Sequence, residues 1–166
     1  MFQVKPISPN CLEDALAKAE RYRLLNEPSE AESICRDILE IAPANRQARI
    51  SLILALTDEI PREASCFAKA IEEISGLEAP YDRAYYSGVA WERRAKALYN
   101  SNGPGARGYV YDEIVRAMQF FAEAERLRPA GNDSSILRWN ACVRFLERHH
   151  ELTSKVEEVS EPILSE

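Results

Sequence analysis

Apolar residues recur along this chain at steps of three and four positions, the spacing of one face of an α-helix. The first such run is Leu12, Ala15, Leu16, Ala19, Tyr22 and Leu25, and the second is Ala31, Ile34, Cys35, Ile38 and Leu39. Between the runs stands Asn26-Glu27-Pro28-Ser29, where Pro suits the first turn of a helix and Asn suits its N-cap. The pattern predicts two amphipathic helices joined by a short turn.

The same periodicity continues and predicts five further helices. Their expected ranges are 46–58, 62–75, 82–99, 109–127 and 134–149. Prolines at 61 and 80 and the cap-like pair Asn132-Asp133 precede three of them, as is typical of helix starts. The sequence has neither a sustained period-two alternation nor an Asn-Gly or Asp-Gly hairpin signal, so strands are not expected. We therefore predict an all-α protein of about seven antiparallel helices.

Three segments fall outside this helical pattern. Residues 1–11 precede the first periodic run and form an N-terminal extension to a helical domain at 12–149. Residues 100–108 are rich in Gly and Pro and predict a flexible loop. Residues 150–166 are polar and acidic, and we expect most of them to be disordered.

A repeated pattern of small and large residues underlies the helices. Within 17–43, six positions follow one another at gaps of 3, 9, 4, 3 and 5: Ala19, Tyr22, Ala31, Cys35, Ile38 and Pro43. The last part of this pattern returns at gaps of 4, 3 and 5 in Ala117, Phe121, Ala124 and Pro129. A degenerate copy between them runs through Leu52, Ala55, Ala64, Ala68 and Ile71, with Gly76 at the Pro position.

These positions resemble the tetratricopeptide repeat, which pairs small residues with large ones in two antiparallel helices. The resemblance implies an α-solenoid of repeats at about 12–45, 46–78 and 81–130, closed by a capping helix at 134–149. Ala64 and Ala117 are 53 residues apart, which is 19 more than one repeat, so the third repeat should have longer helices and a longer turn. An ordinary Ala-rich helical bundle is the alternative.

Tetratricopeptide arrays bind extended peptides or helices in a concave groove lined by the first helix of each repeat. The resemblance implies that a mixed apolar and charged set faces this groove and binds a protein partner: Leu16, Glu20, Arg49, Ile53, Tyr85 and Val89. Glu92 occupies a further position of the same register. One subfamily grips chaperone C-termini with Lys and Asn, but Leu16 and Glu20 stand there, so chaperone-tail binding is not expected.

Charge and composition narrow the class of partner. The net charge is −6, and residues 151–166 alone contain five Glu and one Lys, which leaves the rest of the chain nearly neutral. Such a chain lacks the broad basic face that phosphate binding needs, so nucleic acid is a poor partner. No segment reaches the roughly 20 apolar residues of a membrane span, and no signal peptide is evident, so we expect a cytoplasmic protein.

The candidate chemical groups do not form a recognisable reactive set. Cysteines at 11, 35, 66 and 142 lie far apart and are expected to be reduced and packed as small apolar groups. The glycines of 100–108 lack the following Lys-Ser/Thr of a phosphate loop. His149-His150 is an isolated pair without nearby ligands. We expect neither enzymatic activity nor a cofactor or metal, and keep two alternatives: a self-associating structural protein, and an enzyme on a helical scaffold.

Overall fold

The computed structural model describes residues 2–101 and 106–152, so that residues 102–105 of the expected loop and 153–166 of the expected acidic tail lie outside the described part. Within that part the chain is all-α and contains no strand, which confirms the predicted fold class. A short 3-10 turn at Pro9–Cys11 precedes seven helices. They are α1 (Leu12–Leu24), α2 (Pro28–Ile41), α3 (Arg46–Glu59), α4 (Cys66–Ser75), α5 (Pro80–Asn100), α6 (Ala106–Leu127) and α7 (Ser134–Arg148).

The chain divides into two compact units, Met1–Leu77 and Glu78–Glu166. In the first unit, each helix packs against the next from α1 to α4, and α1 also contacts α3. In the second unit, α5 packs along α6, while α7 packs on α6 and touches α5. The boundary falls between the second predicted repeat, at 46–78, and the third, at 81–130.

The turn between α3 and α4 is longer than the sequence pattern predicts. Pro61 has no N–H with which to continue α3. The N–H groups of Arg62 and Glu63 both donate to the Glu59 carbonyl at 2.9 Å, so the chain turns back on the end of α3. The predicted helix at 62–75 is therefore wrong at its start, because α4 begins only at Cys66.

The turn between α1 and α2 uses Asn26 for its backbone conformation and not as a cap. Asn26 has a φ of +61°, in the left-handed region that Asn tolerates better than most residues. The next N–H, of Glu27, donates to the Tyr22 carbonyl at 2.9 Å and closes the end of α1. Pro28 then stands at the start of α2, as the sequence predicts.

The second unit is built on close contact between two long helices. α5 and α6 have 21 and 22 residues, which agrees with the expected enlargement of this region. Five residues of α6 recur at gaps of four and three and are fully buried: Val110, Ile114, Ala117, Phe121 and Ala124. Gly88 of α5 lies against Phe121 so closely that a Cβ atom there would be 2.5 Å from Phe121 Cε1. The absence of a side chain at Gly88 is what lets the two helices approach.

Candidate partner-binding surface

The four first-unit residues expected in the groove differ in accessibility. Leu16 is half-buried and Glu20 is exposed on α1. Arg49 serves the α3–α4 hairpin, since its Nη1 lies 2.8 Å from Glu73 Oε2 and its Nη2 donates to the Pro43 carbonyl at 3.1 Å. Ile53 is 0% exposed, so the expectation that it offers surface to a partner is not met.

The two second-unit residues expected in the groove also differ. Val89 is 1% exposed and, like Ile53, presents no surface to a partner. Tyr85 is half-buried among rings, stacked on Tyr81 at a centroid distance of 5.8 Å and edge-on to Tyr86 at 5.1 Å. Its ring also lies 6.0 Å from that of Phe121, which fixes its position against the core. Tyr85 therefore remains a candidate binding residue, on a rigid support.

A buried carboxylate organises the seam between α5 and α7. Glu92 is only 1% exposed, a position that is costly for a charge unless it is paired. Lys96 Nζ donates to its Oε1, and Arg138 Nη1 lies 3.3 Å from its Oε2. Burial opposes the charge on Arg138, but Glu92 and a hydrogen bond with Tyr85 raise the pKa of this guanidinium above its ordinary value. We call these four residues the Glu92 cluster: Tyr85, Glu92, Lys96 and Arg138.

The end of the same seam is closed by an aromatic group. Tyr99 Oη lies 2.9 Å from His149 Nδ1 and donates to Glu151 Oε1 at 3.2 Å. The Phe145 ring lies against Tyr99 and His149 at centroid distances of 5.6 and 4.6 Å. These contacts hold the last turn of α5 to the residues that follow α7, and so limit relative movement of the two helices.

The side of α7 next to this seam is accessible and basic. Positions 137, 141, 144 and 148 are separated by four, three and four residues, which places them along one stripe of the helix. Leu137 is 66% exposed, and Arg144 and Arg148 are exposed as well. We call Leu137, Ala141, Arg144 and Arg148 the α7 flank. Together with the Glu92 cluster it forms the α5–α7 surface.

Sequence reasoning found part of this surface and missed the rest. The repeat pattern had already placed Tyr85 and Glu92 at positions of the expected groove. The α7 flank was missed because residues 134–149 were interpreted only as a cap that covers apolar surface. Its signal was nevertheless present in the sequence, as a leucine followed by two arginines at helical spacing with a single acidic residue in α7, Glu147.

A second buried carboxylate lies on the seam between α5 and α6. Glu113 is largely buried, with its Oε1 3.0 Å from Arg94 Nη2. Arg116 and Arg94 lie over the Trp91 ring, 4.3 and 5.1 Å from its centroid. Within the described residues Glu113 Oε2 has no hydrogen-bond partner. Burial raises the pKa of Glu113 above its ordinary value, although the two arginines oppose this.

The pKa of Glu113 predicts how the Glu113→Gln variant responds to pH. A raised carboxyl pKa means that the folded state binds the proton more tightly than the unfolded state, so this group lowers stability as pH rises from about 4.5. Gln cannot ionise and should remove that loss. We expect the variant to melt at a higher temperature than the wild type near pH 7.5, with the difference shrinking toward about pH 4.5, as measured by circular dichroism.

Glu147→Gln, at an exposed site on α7, is the matched control and should show a smaller difference between the two pH values. A Glu113→Gln variant that melts below the wild type near pH 7.5 would instead mean that the ion pair with Arg94 outweighs the burial of the carboxylate.

Two of the buried cysteines hold unreactive thiols. Burial raises the pKa of the Cys35 and Cys142 thiols to about 12, so both stay protonated, whereas the thiolate is the nucleophile. No group of three or more His, Cys, Asp or Glu side chains in residues 2–101 and 106–152 is arranged to hold a metal ion. In the same ranges no helix combines the length and apolar character needed to cross a membrane.

Comparisons with protein-family models, curated proteins and solved structures gave no match to this chain.

Proposed function

We propose that this chain is an interaction module that binds a peptide or helix of a partner protein on the α5–α7 surface. The proposal rests on one observation. An exposed leucine, Leu137, stands next to Arg138, which belongs to the group of aromatic and cationic side chains held around the buried Glu92. Tyr and Arg are among the residues that most often dominate binding energy at interfaces. Because the pairing with Glu92 already restricts Lys96 and Arg138, less side-chain entropy is lost on binding.

The resemblance to tetratricopeptide repeats supports the same assignment. In that family the first helix of each hairpin contacts the partner, and here α5 begins the third predicted repeat while α7 is the predicted cap. The Glu92–Arg138 pair joins these two helices. In the first unit the Arg23–Asp58 pair, at 2.9 Å, joins α1 and α3 in the same manner. In the first unit an ion pair thus ties together two helices that the resemblance places in the groove, and in the second unit an ion pair ties such a helix to the predicted cap.

The use of the titratable groups favours binding over catalysis. Glu92 and Glu113 are each paired with cations, and the buried thiols of Cys35 and Cys142 are held protonated. A catalytic acid, base or nucleophile needs a pKa matched to its task and access to a substrate. An enzyme on this scaffold is therefore the less supported alternative.

The proposal is tested by affinity capture from the native cell with the tagged full chain, its Leu137→Ser variant and its Leu25→Ser variant. Both leucines are exposed, at 66% and 60%, so neither change should disturb folding, which circular dichroism verifies. If the partner covers Leu137, Leu137→Ser removes an apolar contact that binding would bury and should lower recovery of the partner about tenfold or more. Leu25→Ser should leave recovery unchanged. Equal recovery by all three proteins would remove the α5–α7 surface from consideration.

The same experiment can also reveal self-association of this chain. If the protein captured is a second copy of this chain, light scattering of the purified wild type should give a mass above that of the monomer. The Leu137→Ser variant would then return to the monomer mass only if the α5–α7 surface is the contact between copies.

A further inference from the structure

Charge is distributed unequally between the two units. Residues 1–77 contain nine Lys and Arg against thirteen Asp and Glu, whereas residues 78–166 contain twelve against fourteen. The second unit is therefore the less acidic part of an acidic chain. Within it, α7 has three Arg and one Glu, so the helix that carries the α7 flank has a net positive charge.

The Glu92 cluster adds positive charge at the edge of this flank. One carboxylate, Glu92, is shared between two cations, Lys96 and Arg138, which leaves an excess of one positive charge. The side chains of Lys96 and Arg138 are 38% and 35% exposed. Lys offers three N–H donors and Arg five, more than the two oxygens of Glu92 can accept. The cluster therefore has the capacity to bind a second carboxylate.

Leu137 places an apolar contact within this basic region. It precedes Arg138 in sequence and lies on the same stripe of α7 as Arg144 and Arg148, which are about two and three turns farther along. A ligand that follows this stripe would meet an exposed leucine first and then the guanidinium groups of Arg144 and Arg148. An apolar side chain flanked by carboxylates is complementary to that arrangement.

We propose that the α5–α7 surface recognises an acidic segment of its partner, one that carries a large apolar residue for Leu137 and Asp or Glu side chains for Arg144, Arg148 and the Lys96–Arg138 pair. This inference rests on the proposed function, because it names the chemistry of the partner that the module binds. A protein segment fits better than a nucleic acid, since an exposed leucine shares the α7 stripe with Arg144 and Arg148 and the whole chain carries a charge of −6.

The direct test is fluorescence anisotropy with the full chain and a labelled synthetic peptide of about twelve residues that combines Leu with Glu at helical spacing. Two comparison probes are the same peptide with every Glu replaced by Gln, and a single-stranded RNA of similar length. The acidic peptide should bind at least about tenfold more tightly than the Gln peptide, and its affinity should fall as salt is raised. Equal binding of the Gln peptide, or equally tight binding of the RNA, would overturn the proposal.

Charge-removing variants then locate the binding site. Arg144→Gln and Arg148→Gln should each weaken the acidic peptide about two- to fivefold, the range expected for partly exposed ion pairs. Arg126→Gln on α6 removes the same charge at another exposed site of the second unit and should leave binding unchanged. A general loss that includes Arg126→Gln would mean that net charge, and not this surface, controls binding.

The outcomes separate this inference from the proposed function. If Leu137→Ser loses the native partner while Arg144→Gln and Arg148→Gln each recover it at the wild-type level, the interaction surface is correct and the acidic character of the partner is wrong. If Leu137→Ser retains the native partner, the proposed function itself fails, whatever the synthetic peptide does.

Discussion

Replacing Phe121 by Ala is expected to lower the free energy of unfolding of the second unit by about 3–5 kcal/mol. Phe121 is among the largest fully buried side chains of the described residues, and it fills the space between α5 and α6. Its ring also supports Tyr85, so the variant would loosen the α5–α7 surface as well as the core. Urea titration followed by Trp fluorescence measures the effect directly, because both tryptophans, Trp91 and Trp139, belong to this unit.

The control for this prediction is Phe2→Ala. Phe2 is fully exposed, so removal of its ring deletes the same atoms without opening a cavity and should leave the urea midpoint unchanged. A loss of less than about 1.5 kcal/mol for Phe121→Ala would contradict the tight packing between α5 and α6, since values for buried Phe in well-packed cores are larger.

Gly88→Ala is expected to destabilise the second unit by about 1–3 kcal/mol, the usual cost of an overpacked core. In an unconstrained helix the same change is stabilising by about 1 kcal/mol, because Ala has the better helix propensity. At Gly88 the new Cβ would lie 2.5–2.9 Å from three atoms of the Phe121 ring, which the core holds in place. The sign of the effect, read from urea midpoints, therefore reports whether the two helices can separate.

Two comparisons make the Gly88 result specific. In Gly76→Ala the new Cβ meets the end of the flexible Arg49 side chain, which can shift, so the cost should be smaller. The Phe121→Leu change should cost less in the Gly88→Ala background than in the wild type, because each change relieves the other. A Gly88→Ala variant as stable as the wild type, with additive effects in the double variant, would show that the α5–α6 contact is not tight.

The period of the apolar residues was sufficient to predict the helices, because burial of one helix face imposes steps of three and four on any sequence. The prolines at 28 and 80 also marked helix starts correctly. Pro61 did not, since whether a proline opens the next helix or ends the previous one depends on where the neighbouring N–H groups bond. That choice is made by the Arg62 and Glu63 bonds to Glu59, which composition does not reveal.

The candidate surface was predictable only in part, for a related reason. The register of the repeat resemblance places Ile53 and Val89 in the groove but does not say whether another element covers them, and both proved to be buried. The contact of Glu92 with Arg138 joins residues 46 positions apart, and that of Gly88 with Phe121 joins residues 33 apart. Local sequence therefore determined the helices and their apolar faces. Only the tertiary structure decided which charges are buried together and which side chains remain accessible, because burial depends on neighbours brought together by the whole fold.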